Sequence, residues 1–166
     1  MTIEDFKGGI MNWLRKYNFN TVDHIEFHLN SSYHIDEHVI RIGVYAQEES
    51  AEWFVDFLSE RGLEWEGIPH PILQFLHELG HNQTVYDFSD VELLTYSFLK
   101  QGIQDDDPHQ AAIEYWSLGD ELAANLWAID FINNSSEALI ELCELFVDAW
   151  NELVDDICDE ADSYDD

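Results

Sequence analysis

Phe75-Leu76-His77-Glu78-Leu79-Gly80-His81 is the stretch on which the reading of this chain turns. It contains His-Glu-x-x-His. On an α-helix, positions i and i+4 share a face. That spacing lets the imidazoles of His77 and His81 bind one Zn²⁺ from the same side, with the Glu78 carboxylate next to the first ligand and within reach of a water on the metal. The stretch therefore has to be helical, and a second element has to bring it a further ligand.

The flanks agree with a helix. Gly67-Ile68-Pro69-His70-Pro71 is a rigid lead-in whose prolines fit before or within a first helical turn but not in an interior. Ile72, Leu73, Phe75, Leu76 and Leu79 then give a helix over about 71–82 its buried faces. Gly80 stands where Ala would be the better helix former, which predicts a close approach of backbone or substrate. Upstream, Phe6, Ile10, Trp13, Leu14 and Tyr17 repeat with helical period, and Asn18 and Asn20 end that segment. Residues 22–29 alternate, with Ile25, Phe27 and Leu29 inward and His24 and His28 towards solvent. Asn30-Ser31-Ser32 reads as a turn into a second strand over 38–46, antiparallel to the first. Residues 49–60 form a helix ended by Arg61-Gly62.

Downstream, Ser89 or Asp90 is placed to cap a helix over 91–100. Asp105 to Asp107 form an acidic loop, and residues 109–116 a short helix. A longer helix covers 121–132, and Asn133 to Ser136 break it. The last helix starts at Glu137, with Leu139, Leu142, Phe146, Ala149, Trp150 and Leu153 at helical spacing. The pattern gives an α+β fold, mostly helical, with a small antiparallel sheet: a single domain over 1–154 followed by an acidic, frayed tail over 155–166.

With 166 residues, 46% hydrophobic and 14% aromatic, the chain is long enough to bury a core and is not a disordered acidic tail. It carries 36 acidic residues against 6 basic ones, a formal net charge of −30. That balance repels bare nucleic acid and anionic membranes and attracts basic partners. The acidity reads as a solubilising surface, as steering for a basic substrate, or as a mimic of the DNA phosphate array. Cys143 and Cys158 match no metal knuckle or redox pair and read as reduced thiols. Residues 1–15 lack a signal pattern, and no apolar run approaches ~18 residues. The expectation is a soluble protein of the cytoplasm.

The third ligand is sought in Gly119-Asp120-Glu121-Leu122-Ala123-Ala124-Asn125-Leu126-Trp127-Ala128. Taken with residues 75–81, this segment resembles the gluzincin-type metallopeptidases of the ImmA/IrrE group and the related short phage-encoded zincins. Those proteins pair a His-Glu-x-x-His helix with a second helix reading Glu-x-x-Ala-Asn-x-aromatic-Ala. Here Glu121, Ala124, Asn125, Trp127 and Ala128 stand at those positions. The resemblance implies a zincin-like fold in which the two helices pack together. It implies Glu121 as third zinc ligand, Asn125 as a group steadying a ligand, and Ala124 and Ala128 as the small residues at the helix contact. The order of elements over about 26–132 fits as well. The chain departs from the pattern in a longer separation between His81 and Glu121 and in Ala123, where some relatives carry a second Glu.

Asp120 is the rival ligand. One residue from Glu121, it points about 100° away on a helix and fits a helix cap better. His70 and His109 are candidates for substrate contact, and Tyr115 or Tyr86 for the hydrogen bond that steadies an oxyanion. With His77, His81 and Glu121 on Zn²⁺ and Glu78 as catalytic base, the expected activity is hydrolysis of a peptide bond. The resemblance implies that the peptide lies along the edge of the strand over 39–45 by strand addition. The resemblance points to a basic repressor or other DNA-binding protein of a phage or mobile element as substrate, in the host cytoplasm. The alternative is a non-catalytic acidic binder, a DNA mimic or counter-defence protein, with a structural or vestigial zinc site.

Overall fold

Thr2 opens the first helix, α1 (Ile3–Lys16), with a capping box: its hydroxyl accepts from the Asp5 amide while the Asp5 carboxylate accepts from Thr2. Phe6, Ile10, Trp13 and Leu14 form its buried stripe. Asn18, in the left-handed region at φ 66°, then turns the chain away from the helix. The computed structural model describes residues 1–44 and 48–164.

Three strands follow: β1 (His24–His28), β2 (Ser32–His34) and β3 (Val39–Gly43), in the spatial order β1-β3-β2. The pairing corrects the sequence expectation. β1 and β3 run parallel, with Ile25 opposite Ile40 and Phe27 opposite Ile42. Only β2 is antiparallel to β3, so the sheet is mixed. The turn at 30–32 does not fold one strand back on the other; it carries the chain across the end of β3 to its far edge. Gly43 permits the crossing, because a Cβ there would lie 2.7 Å from the Ser31 nitrogen. The Gly43 amide donates to Ser31 Oγ at 2.8 Å. β3 takes the centre because its neighbouring residues Val39 and Ile40, which point to opposite faces, are both buried. With both edges of β3 occupied, the peptide-binding edge expected there is unavailable, and Tyr45 and Ala46 lie outside the described residues. β1 and β2 are the two edge strands.

Ile25 and Phe27 face the core, as alternation requires. On the opposite face Glu26 accepts from Arg41 Nε at 2.8 Å and lies 3.2 and 3.1 Å from the ring nitrogens of His24 and His28. α2 (Glu48–Glu60) buries Phe54, Phe57 and Leu58 and ends at Gly62, φ 107°. α3 (His70–Thr84) crosses the sheet on β3 and β2 and is covered on its other side by α6 (Gly119–Asn134). Being central, α3 buries Ile72, Leu73, Phe75, Leu76 and Leu79 around most of its circumference.

Between these two helices lie α4 (Asp90–Gln101), opened by a Ser89–Glu92 capping box, and α5 (Pro108–Trp116), capped by Asp107. The last helix, α7 (Ser136–Ser163), packs on α1 and β1 and corrects the expected frayed tail. It extends the stripe Leu139, Leu142, Phe146, Ala149, Leu153 through Ile157 and Ala161, both buried. The carboxylates beyond residue 154 lie mostly outward, and Glu160 accepts from Lys7 Nζ at 2.6 Å. Tyr164 stacks on His28 with ring centroids 4.1 Å apart.

Most of the few basic side chains are paired with carboxylates: Lys7 with Glu160, Lys16 with Glu141, Arg41 with Glu26, Lys100 with Asp120. Among the described residues no helix is long and apolar enough to cross a membrane.

Candidate metal centre

Pro69 caps α3 and Pro71 lies in its first turn, where a missing N–H costs nothing. From that start, His77, Glu78 and His81 fall on the turn that meets α6. The contact is close because Gly80 lies against Ala124: a Cβ on Gly80 would be 2.5 Å from the Ala124 carbonyl oxygen. Ala124 and Ala128 are buried between the helices. Four of the five buried polar or charged side chains among the described residues, His77, Glu78, Glu121 and Asn125, meet at this junction.

Glu121 reaches both imidazoles with a single oxygen. Its Oε2 lies 3.0 Å from His77 Nε2 and 3.2 Å from His81 Nε2. Donor atoms around a tetrahedral Zn²⁺ with bonds of about 2.0–2.1 Å are ~3.3 Å apart, so each imidazole nitrogen stands close to that separation from the shared oxygen. The far nitrogen of His77 is held as well: Nδ1 donates to Asn125 Oδ1 at 2.8 Å, which aims Nε2 at Glu121. Asn125 in turn donates to the Trp116 carbonyl at 3.3 Å. The donor set of two imidazoles and a carboxylate suits zinc.

The electrostatics follow from burying opposite charges together. Burial pulls the His77 imidazole down, but the Glu121 and Glu78 carboxylates and Asn125 outweigh it and hold His77 up at about 9. Burial pushes Glu121 up, yet the hydrogen bonds from His77 and His81 hold it far below the ordinary carboxylate range. Glu78 is 5% exposed. Among the described residues no hydrogen bond engages its carboxyl, and burial raises it while His77 and His81 pull the other way. A buried carboxyl near two imidazoles, raised and unengaged, is placed to take up a proton.

These groups form one end of a cavity of about 340 Å³. Tyr33 from β2, Phe54 from α2, Phe88, Leu93 from α4 and Trp116 from α5 make its walls. Tyr115 also lines it, its phenol held protonated by burial and by the nearby Glu121.

The remaining sequence candidates divide. His109 stacks on Trp53 with ring centroids 4.8 Å apart and does not line the cavity. His70 packs edge-on against Phe54, and Tyr86 is 70% exposed; neither is among the lining residues. Asp120 is not the helix cap it was expected to be, since Leu118 holds that position. It turns inward, within 4.8 Å of the ligand atoms of His81 and Glu121, with one buried oxygen unpartnered. Sequence reasoning missed Lys100, whose Nζ donates to Asp120 Oδ2 at 2.6 Å and to Glu121 Oε1 at 2.5 Å. The only signal for it was scarcity, one of six basic residues in an acidic chain.

Comparison of the chain with protein-family models, with curated proteins and with solved structures gives no match.

Proposed function

We propose that this chain is a zinc-dependent metallopeptidase. One observation carries the reading: a single Glu121 oxygen lies within 3.2 Å of both imidazoles of a His-Glu-x-x-His turn. The buried Glu78 carboxyl belongs to the same cluster as His77 and His81. His77, His81 and Glu121 would hold the metal. Zinc, when bound, polarises a carbonyl and makes water acidic enough to attack it near neutral pH.

The chain's own residues carry the rest. Glu78 takes a proton from the attacking water and passes it to the amine as the C–N bond breaks. Tyr115, kept as a phenol, donates to the oxygen that gains charge in the transition state. Asn125 keeps His77 in register. The free edge of β2 borders the cavity through Ser32 and Tyr33, so an extended substrate pairs with that strand, taking the place first assigned to β3. A net charge of −30 favours a basic protein substrate, such as a DNA-binding repressor of a phage or mobile element. The free thiols Cys143 and Cys158 accord with work in the host cytoplasm.

The test pairs metal analysis of the purified protein with hydrolysis of a quenched-fluorescent peptide library containing Lys- and Arg-rich members. Glu78→Gln should keep its zinc and lose about 10²–10⁴ in rate. Loss of zinc in that variant, or undiminished turnover, refutes the assignment. A metal-free, inactive protein that binds DNA-binding proteins in a salt-sensitive way supports the acidic binder instead.

A further inference from the structure

We propose that Lys100 is a positioning residue that presets Glu121 to bind the metal through one oxygen. The inference rests on the metallopeptidase reading. Lys100 comes from α4, none of whose residues is buried, yet its own side chain is only 20% exposed because it reaches inward to α6. There it meets two carboxylates. Its Nζ lies 2.5 Å from Glu121 Oε1, the oxygen that the imidazoles leave unused, and 2.6 Å from Asp120 Oδ2. The Tyr115 ring lies beneath it, with its centroid 5.3 Å from Nζ.

A carboxylate ligand with both oxygens free can swing or chelate through both. Here the ammonium saturates Oε1 and leaves Oε2 alone to face His77 and His81. Asp120 anchors the ammonium from the neighbouring position on α6, so the clamp and the ligand move as one unit.

Cobalt substitution reads the clamp directly, because the visible absorption of Co²⁺ is intense with four ligands and weak with five or more. Full-length wild type loaded with Co²⁺ should show the intense spectrum. Lys100→Met should take up cobalt with a several-fold weaker band, as Glu121 chelates through both oxygens. Lys100→Arg, which restores charged donors, should recover the intensity. Asp120→Asn, which loosens the anchor but keeps the ammonium, should fall between and decides the matter if Lys100→Met does not fold. Identical spectra for wild type and the cobalt-loaded variants overturn the positioning role while leaving the metal centre standing. A wild type that takes up no cobalt overturns the metal-centre reading, and the proposal with it.

Discussion

Replacing Gly80 by Ala separates two effects that oppose each other. In an open helix the change stabilises, because Ala is favoured over Gly by about 0.8–1.0 kcal/mol. At Gly80 the added Cβ would sit 2.5 Å from the Ala124 oxygen and 3.0 Å from the Ala124 Cα and carbonyl carbon. The first distance is about 0.9 Å short of the 3.4 Å at which ordinary contact begins, and all three atoms are backbone, so no side chain can turn aside. α3 and α6 must part. Overpacking of this kind costs about 1–3 kcal/mol. Net of the helix-propensity gain, Gly80→Ala should destabilise by up to about 2 kcal/mol, a fall in Tm of up to about 8 °C for a chain of this size. The same movement stretches the His77–Asn125 and His81–Glu121 contacts, so zinc should raise the Tm of the variant less than that of wild type. Gly8 supplies the control. It is exposed in α1 with nothing within 4 Å of its added Cβ, and Gly8→Ala should raise the Tm. Thermal unfolding followed by circular dichroism, with and without zinc, reads all of this. If Gly80→Ala stabilises the protein as Gly8→Ala does, the close helix contact is wrong.

Two further outcomes test other parts of the fold. Ile157→Ala should cost about 2–4 kcal/mol in chemical denaturation, as for other buried aliphatic truncations; a change near zero would mean that the end of α7 is not packed. Glu26 is held below its ordinary value of 4.5, because Arg41, His24 and His28 outweigh the burial that pushes it up. A depressed carboxyl stabilises the fold fully above that value and loses the contribution as pH falls through its folded pKa. Glu26→Gln should therefore lower stability at pH 7 and flatten the acid limb of the stability curve as pH falls below the ordinary value of 4.5; parallel curves for the two proteins would refute the role of the cluster.

The helices were readable because their signals are local. Capping residues such as Ser89 and periodic stripes such as Phe6, Ile10 and Leu14 act within a few residues of chain, and, the end of α7 apart, the observed ends fall within two or three positions of the expected ones. His77 and His81 were readable for the same reason. Their convergence with Glu121 was carried by a second motif forty residues away. Strand pairing was not readable: nothing in residues 22–46 distinguishes a hairpin from a crossover until Gly43 is seen under Ser31. The inward turn of Asp120, weighed as a rival ligand but expected to cap the helix, and the reach of Lys100 escaped because both depend on how residues 85–118 lay α4 back against α6. His109 was proposed for its chemistry alone, and Trp53 holds it elsewhere. The end of α7 was misread by weighing its charge above its spacing, for Leu153, Ile157 and Ala161 keep the period without a break.

The pairing of basic side chains with carboxylates has a consequence for range. Because Lys7, Lys16, Arg41 and Lys100 turn their charge inward or onto neighbouring acids, the field outside the molecule has one sign almost everywhere. The net charge of −30 sets copies of the chain against one another on average. A cationic partner is drawn in from any side, but at physiological ionic strength screening confines that pull to roughly 8 Å. An attraction of that range gathers cationic molecules close to the surface without aligning them.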